Sequence, residues 1–143
     1  MNVDRRHKLV RRYKVTDAAV HDSQVVEDIL APNNTASDVW ADSAYRSAEI
    51  EAKLAEKGLK SRIHSKGYRG KPLSERETQG NKTRSKVRAR VEHVFVAQSN
   101  DMGGTLMRSI GLVRAKARIG LKNLTYNMRR LVQLERLAMA CSP

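Results

Sequence analysis

The chain has 143 residues, a formal net charge of +13 at pH 7 and only 4% aromatic residues. This length fits one domain with a modest core, and the excess of positive charge favours polyanionic partners, above all nucleic acid. The scarcity of aromatic rings argues against proteins that bind single strands by stacking bases on such rings.

The sequence also carries signals about the compartment. No apolar run approaches the roughly 18 residues of a membrane span, and no apolar segment follows the basic N-terminus. The single cysteine, Cys141, excludes a disulfide within the chain and is typical of a reducing environment. We therefore expect a cytoplasmic protein that has no membrane partner.

The chain begins with a predicted strand. Residues 8–16 alternate as a strand does and place Leu9, Tyr13 and Val15 on one face. Residues 4–7 before it predict a hairpin turn that follows an earlier strand.

A short helix and a second strand are expected next. Asp22 or Ser23 can cap a helix that runs through Leu30. A turn is predicted at 32–34, and a short apolar strand at 39–42.

The following segment predicts another capped helix. Ser47 can cap it, Ile50 and Leu54 mark its inner face, and Gly58 is a plausible end. Another short strand is predicted at 59–64. Strands that alternate with helices in this way indicate an α/β layered domain.

The whole chain, 1–143, is predicted to form a single domain in four parts. These are a strand and helix part at 1–64, a basic loop at 65–81, a helix at 82–100 and a C-terminal helix at 111–139. The predicted inward residues of the two long helices are Val87, Val91, Val94 and Phe95 in the first, and Leu121, Leu124, Met128, Leu131 and Val132 in the second.

Lysines and arginines are concentrated in the loop and in the helix that follows it. Such a concentration is typical of a surface that tracks phosphates, although a basic run is often only a solvated face. The candidate DNA-binding residues are Lys66, Arg69, Lys71, Arg84, Lys86, Arg88 and Arg90.

Two carboxylates are candidates for chemistry. Asp42 closes the short apolar strand, at the position where α/β sheets often place ligands, and it can also simply cap the next turn. Glu92 lies among basic residues, one helical turn after Arg88, so a surface ion pair is the plain interpretation and a metal-binding or base carboxylate the functional one. The four histidines have no zinc-like spacing.

Several segments together resemble the C-terminal part of a bacterial insertion-sequence transposase. The resemblance is to the DDE type, in the insertion-sequence-five group, and it covers nearly the whole chain. The segments that carry it are Thr16–Ser23, Trp40-Ala-Asp42-Ser-Ala-Tyr45, Arg88-Ala-Arg-Val-Glu92-His-Val-Phe95, Gly111–Arg118 and Asn123-Leu-Thr-Tyr-Asn127.

The resemblance implies a ribonuclease-H-like fold in which three acids bind metal. Asp42 matches the second acid, with Tyr45 as the tyrosine of its motif, and Glu92 matches the third, with Arg88 as the arginine of its motif. It implies Mg²⁺ (or Mn²⁺) as cofactor and DNA as partner. In that chemistry water cuts the end of the element, and the freed 3′-hydroxyl attacks the target DNA.

The chain departs from the family pattern at three places. Ser85 and Ser99 stand where the third motif has a tyrosine and a lysine, and neither Asp4 nor Asp17 matches the first aspartate. The resemblance therefore implies a truncated domain, a ribonuclease-H-like fragment that lacks the first, central strand.

Such a fragment is expected to be inactive alone, because one of three metal ligands is missing. An upstream transposase fragment or a full-length transposase would then be a partner, and a homo-oligomer is also compatible with the sequence. The alternative function is a non-catalytic DNA-binding fragment that competes with full-length transposase.

Overall fold

The computed structural model describes residues 1–31, 37–104 and 110–140. The chain divides into two compact units, which we call the terminal unit, Met1–Val20 with Arg90–Pro143, and the central unit, His21–Ala89. The mixture of strands and helices agrees with the predicted α/β class. That the whole chain forms a single domain stays a prediction.

The central unit contains a pair of parallel strands. β3 (Asp38–Val39) lies beside β4 (Lys60–Ser61), with Asp38 opposite Lys60. Backbone hydrogen bonds continue the ladder past the strand ends, since His64 N donates to Ala41 O at 3.1 Å. The predicted strands therefore exist, and the ladder ends directly before Asp42.

The helix that connects these strands is the best-predicted element. α2 (Ala48–Glu56) begins where Ser47 Oγ accepts from Ile50 N at 3.2 Å. Its C-cap, Lys57, is followed by Gly58, whose φ of +66° a glycine adopts without strain. Leu54, 1% exposed, packs with Ile63 in the core of this unit. The cap, the inner face and the stop were all predicted correctly.

The short helical segment before β3 differs in its cap. A 3₁₀ turn at Asp22–Val25 leads into α1 (Val26–Ile29), and the imidazole Nδ1 of His21 accepts from Ser23 N at 3.2 Å. The cap is thus neither Asp22 nor Ser23, because a ring nitrogen one step earlier already satisfies the first free N–H. The turn predicted at 32–34 lies outside the described residues.

The long helix after the basic loop begins earlier than predicted. α3 (Glu75–Asp101) starts at a capping box in which Ser74 N donates to Glu77 Oε2 at 2.9 Å and Glu77 N donates to Ser74 Oγ at 3.3 Å. The basic loop is therefore 65–74 rather than 65–81. A Ser-x-x-Glu signature in the sequence, Ser74 to Glu77, marks this start.

The terminal unit opens with the predicted hairpin. β1 (Asn2–Val3) pairs antiparallel with β2 (Val10–Arg12), and Asp4 N donates to Leu9 O at 2.8 Å. The predicted inner face is wrong by one residue: Val10 is buried, whereas Tyr13 is 41% exposed. With a side-chain period of two, a shift of one residue exchanges the faces.

α4 (Leu112–Ala140) has nearly the predicted bounds but not the predicted inner face. Its buried residues are Asn123 and Tyr126. The residues predicted to face inward are all exposed; these are Leu121, Leu124, Met128, Leu131 and Val132. None of the helices in the described ranges is long and apolar enough to cross a membrane.

Polar bonds explain which side of α4 is buried. The Asn127 side chain holds the backbone of Val10 by two hydrogen bonds of 2.9 Å, and Tyr126 Oη donates to Lys8 O at 2.9 Å. Asn123 Oδ1 accepts from Gln98 Nε2 on α3 at 2.8 Å. Buried polar groups need such partners, so hydrogen-bonding groups rather than leucines select the buried side.

The core side of α3 is set in the same way. Val94 is fully buried beside Gln98, whereas Phe95, one of the four residues of the predicted apolar stripe, is 51% exposed. The stripe is therefore rotated toward Val94.

Candidate active site

Asp42 lies directly after the parallel strand ladder of the central unit. It begins a 3₁₀ turn, Ser43–Tyr45, where its Oδ1 accepts from Ser43 N at 2.5 Å and from Ser43 Oγ at 3.2 Å. The carboxylate thus has the capping role that the sequence left open. One of its two oxygens is fully engaged by the turn.

The second oxygen of Asp42 is bonded to Arg88. Arg88 Nη1 on α3 donates to Asp42 Oδ2, and the side chains of Arg88 and Asp42 are 34% and 47% exposed. Partial burial raises the pKa of the Asp42 carboxyl, but the hydrogen bond from the Ser43 backbone and the charge of Arg88 outweigh it and lower the pKa below its ordinary value. Asp42 is therefore ionised at neutral pH.

This ion pair joins two of the segments singled out in the sequence. The pairing of Arg88 with Glu92 that the sequence suggested stays a prediction. The structure gives Arg88 a partner across the fold, Asp42. The family-like segments around Asp42 and Arg88 therefore meet within one compact unit.

Glu92 belongs to the other unit. Its side chain is exposed on α3, in the part of that helix assigned to the terminal unit, and Asp42 lies in the central unit. Within residues 1–31, 37–104 and 110–140, no group of three or more His, Cys, Asp or Glu side chains is arranged to hold a metal ion.

The described side chains therefore do not fit a magnesium ion at Asp42 as they stand. Carboxylate oxygen is the right donor type, but Ser43 engages one oxygen and Arg88 the other. A metal would have to displace the guanidinium first.

Tyr45 supports the site through packing. It is half-buried against the apolar cluster of Ile50, Leu54 and Ile63, and its backbone N–H donates to Asp42 O at 3.0 Å. It stabilises the turn that Asp42 begins.

The predicted DNA-binding residues are largely open to solvent. Those in the loop are exposed beside a tight turn closed by two backbone hydrogen bonds between Tyr68 and Lys71. On α3, Lys86 is exposed, while Arg90 donates to Arg5 O at 2.7 Å and so also holds the terminal hairpin. The exposed members of the predicted set are Lys66, Arg69, Lys71, Lys86 and Arg90.

The terminal unit contains a basic cleft, to which the structure adds a lysine that the sequence did not single out. It has a volume of about 520 Å³ and brings Lys116 of α4 to the hairpin strand. The lining residues are Arg11, Arg12, Tyr13, Lys14, Val15 and Lys116. Only the fold brings Lys116 to this segment, so the spacing of residues in the sequence could not predict its place in the cleft.

His64 is a further buried polar residue that sequence spacing did not mark. It is 7% exposed, and its Nε2 lies 3.1 Å from Ser85 Oγ and 3.2 Å from Asn81 O on α3. Among the described residues its Nδ1 has no hydrogen-bond partner. Ser85, which stands where the resemblance places a tyrosine, thus contacts a histidine that closes the end of the strand ladder.

Two comparisons with known proteins give a match. A family model described as the transposase DDE domain matches residues 1–128. The transposase for insertion sequence element IS1106 of Neisseria meningitidis serogroup B is 30% identical over 114 residues, which cover 80% of this chain and 40% of that protein. The chain thus spans about two fifths of the length of this curated relative.

No solved structure matches the chain significantly. The family match covers most of the chain and includes the Asp42, Arg88 and Glu92 segments. The chain therefore belongs to the transposase DDE domain family.

Proposed function

We propose that this chain acts in DNA transposition, as part of a transposase of the insertion-sequence-five group with a ribonuclease-H-like catalytic fold. The reaction is metal-dependent DNA strand cleavage followed by strand transfer. Membership of the DDE domain family supports the reaction class. Because the chain spans only part of its curated relative, the activity of a whole transposase is a proposal here.

We assign Asp42 and Glu92 as two acids of the catalytic site, with Mg²⁺ or Mn²⁺ as the ion they serve. The observation that supports this most is the bond from Arg88 to Asp42, which brings the helix of the third motif to the strand end of the second motif. Arg88 holds the Asp42 carboxylate in a fixed orientation. A metal ion would compete with Arg88 for this carboxylate, and a DNA phosphate would compete with Asp42 for the guanidinium.

The charge distribution supports DNA as the partner. The net charge of +13 is accompanied by exposed cations in the basic loop and by the cleft that Arg11, Arg12, Lys14 and Lys116 line. Cations that neutralise backbone phosphates release counterions, which makes affinity fall steeply with salt. We expect binding with little dependence on DNA sequence from these surfaces.

A polypeptide of these 143 residues is proposed to cleave DNA poorly or not at all by itself. Arg88 occupies one carboxylate oxygen of Asp42, and by the resemblance neither Asp4 nor Asp17 matches the first aspartate of the family. Activity would need an upstream transposase segment that supplies this acid.

The test combines binding and cleavage on the purified chain. Wild type, Asp42→Ala and Glu92→Ala are compared for DNA binding and for Mn²⁺-dependent nicking of supercoiled DNA, alone and with an upstream segment. We expect salt-sensitive binding by all three, and nicking only by wild type with the upstream segment. Nicking that survives both substitutions would refute the assignment of the two acids.

A second candidate function is a non-catalytic DNA-binding fragment that competes with full-length transposase. The ion pair between Asp42 and Arg88 favours this second function, because it occupies the carboxylate while the basic surfaces remain exposed. This candidate predicts that the chain lowers transposition by a full-length enzyme, equally with Asp42→Ala and Glu92→Ala. Failure of an upstream segment to restore nicking, together with such inhibition, would favour it over the first.

A further inference from the structure

Two arginines of the central unit meet at one serine hydroxyl. Arg46, just after the 3₁₀ turn, donates through Nη1 to Ser65 Oγ at 3.3 Å. Arg84 on α3 donates through its own Nη1 to the same oxygen at 3.3 Å. Three segments that are distant in sequence therefore place two guanidinium groups around a single atom.

The serine is held in place by an asparagine of α3. Asn81 Oδ1 accepts from Ser65 N at 2.9 Å, and Asn81 Nδ2 donates to Ser65 O at 3.0 Å. The same Oδ1 also accepts from Arg84 Nη1 at 3.0 Å, while Arg46 Nη1 lies 3.4 Å from Ile63 O. The three groups are therefore oriented before any ligand arrives, which reduces the entropy lost on binding.

The positive charge of this cluster is not neutralised by a contact. Within the described part of the chain, neither Arg46 nor Arg84 is within ion-pair distance of a carboxylate, whereas the nearby Arg62 pairs with Asp38 at 3.0 Å. Glu77 lies near enough for Arg46 to affect its titration but not to form an ion pair. Two like charges at close range repel one another, and a bound anion would relieve that repulsion.

The remaining donors suit a phosphate. Ser65 Oγ uses its two acceptor positions on the arginines, so its O–H is left to donate, and each guanidinium keeps further N–H groups. Planar guanidinium groups match the geometry of phosphate oxygens. Arg46 is exposed, and Ser65 and Arg84 are half-buried, so a ligand can reach the cluster from solvent.

We propose that Arg46, Ser65 and Arg84 form a phosphate-binding site that takes a backbone phosphate of DNA. The choice of DNA as the source rests on the proposed function, whereas the phosphate chemistry rests on the cluster alone. The cluster shares no residue with the neighbouring Asp42–Arg88 pair. Its role is to hold the DNA backbone in register beside the basic loop.

The first experiment measures duplex DNA affinity of the full chain as a function of salt. We expect Arg46→Gln and Arg84→Gln each to weaken binding about twofold to fivefold and to reduce the slope of log K against log salt by about 0.9. Arg62→Gln is the matched control, because it removes the same charge from a guanidinium that already pairs with Asp38. Equal effects of all three variants on DNA affinity would overturn the site, because loss of one positive charge would then explain the weaker binding by itself.

The second experiment titrates inorganic phosphate and follows the backbone amide resonance of Ser65. We expect a saturable shift in wild type that is lost in Arg46→Gln and Arg84→Gln and weakened in Ser65→Ala. Arg46→Lys and Arg84→Lys keep the positive charge but lose the planar guanidinium that can donate two parallel hydrogen bonds. Both variants should bind phosphate more weakly than wild type. No shift in folded wild-type protein would overturn the proposal.

The two experiments together separate this site from the proposed function. A Ser65 shift with phosphate but DNA binding that is indifferent to Arg46 and Arg84 would assign the site to free phosphate and overturn DNA as its ligand. Strong DNA binding with no phosphate response would overturn the site and leave the proposed function standing. The same Ser65 shift with phosphate and with DNA supports the proposal in full.

Discussion

Replacing Arg88 by glutamine should open Asp42 to divalent metal. In the folded chain the guanidinium competes with any cation for Asp42 Oδ2, and both side chains are more than a third exposed. Ion pairs of this exposure contribute about 0.2 to 1 kcal/mol, which corresponds to a factor of about 1.4 to 5 in an equilibrium constant. Removing the like charge beside the metal acts in the same direction, so we expect Mn²⁺ affinity to rise by about twofold to tenfold.

The assay is paramagnetic broadening of the Ser43 amide by Mn²⁺, because this N–H donates to Asp42 and reports on its surroundings. Arg62→Gln is the control for loss of charge, since its partner is Asp38. The Asp42→Asn variant should abolish the broadening in either background. Unchanged Mn²⁺ affinity in Arg88→Gln would refute the view that the ion pair keeps Asp42 closed.

The remaining predictions concern stability and are measured by urea unfolding followed by circular dichroism. Leu54→Ala, at a side chain 1% exposed, should cost about 2 to 5 kcal/mol; a cost below about 1 kcal/mol would contradict its place in the core. Ser74→Ala should cost about 0.5 to 2 kcal/mol by removing the cap of α3, and Thr at this position should retain most of the stability. The hydrogen bonds from Ser74 lower the pKa of Glu77, so the stability that this pair contributes is present above the ordinary carboxyl pKa and is lost as the pH falls through the lowered value. Gln98→Met leaves a buried acceptor on Asn123 unpaired and should cost about 1 to 3 kcal/mol, whereas adding Asn123→Leu should recover part of that loss; additivity within about 0.5 kcal/mol would show that the two side chains are not coupled.

Local signals in the sequence predicted much of the element order. Ser47 and Gly58 mark the two ends of α2. A hydroxyl cap and a residue with positive φ act on their nearest neighbours, whatever the rest of the fold does. The start of α3 is equally local, because the Ser74–Glu77 box forms between residues three apart. The predicted hairpin at the N-terminus was correct for this reason as well.

The buried faces of the long helices were not predicted, because burial depends on which partner each helix meets. Leucines of α4 were expected inside, yet Asn123 and Tyr126 are buried there, since their polar groups find partners on Gln98 and on the N-terminal strand. Periodicity alone counts apolar residues and has no information on such partners.

The candidate site shows the same division. The sequence alone identified Asp42, Arg88 and Glu92 as members of transposase-like segments. The match of the chain to the transposase DDE domain model agrees with that resemblance. Only the tertiary structure decided that Arg88 bonds Asp42, and that Arg46 and Arg84 share the hydroxyl of Ser65. Residue types and local spacing are properties of the chain, whereas ion pairs and shared ligands between distant segments exist only after the strand ladder and α3 have packed together.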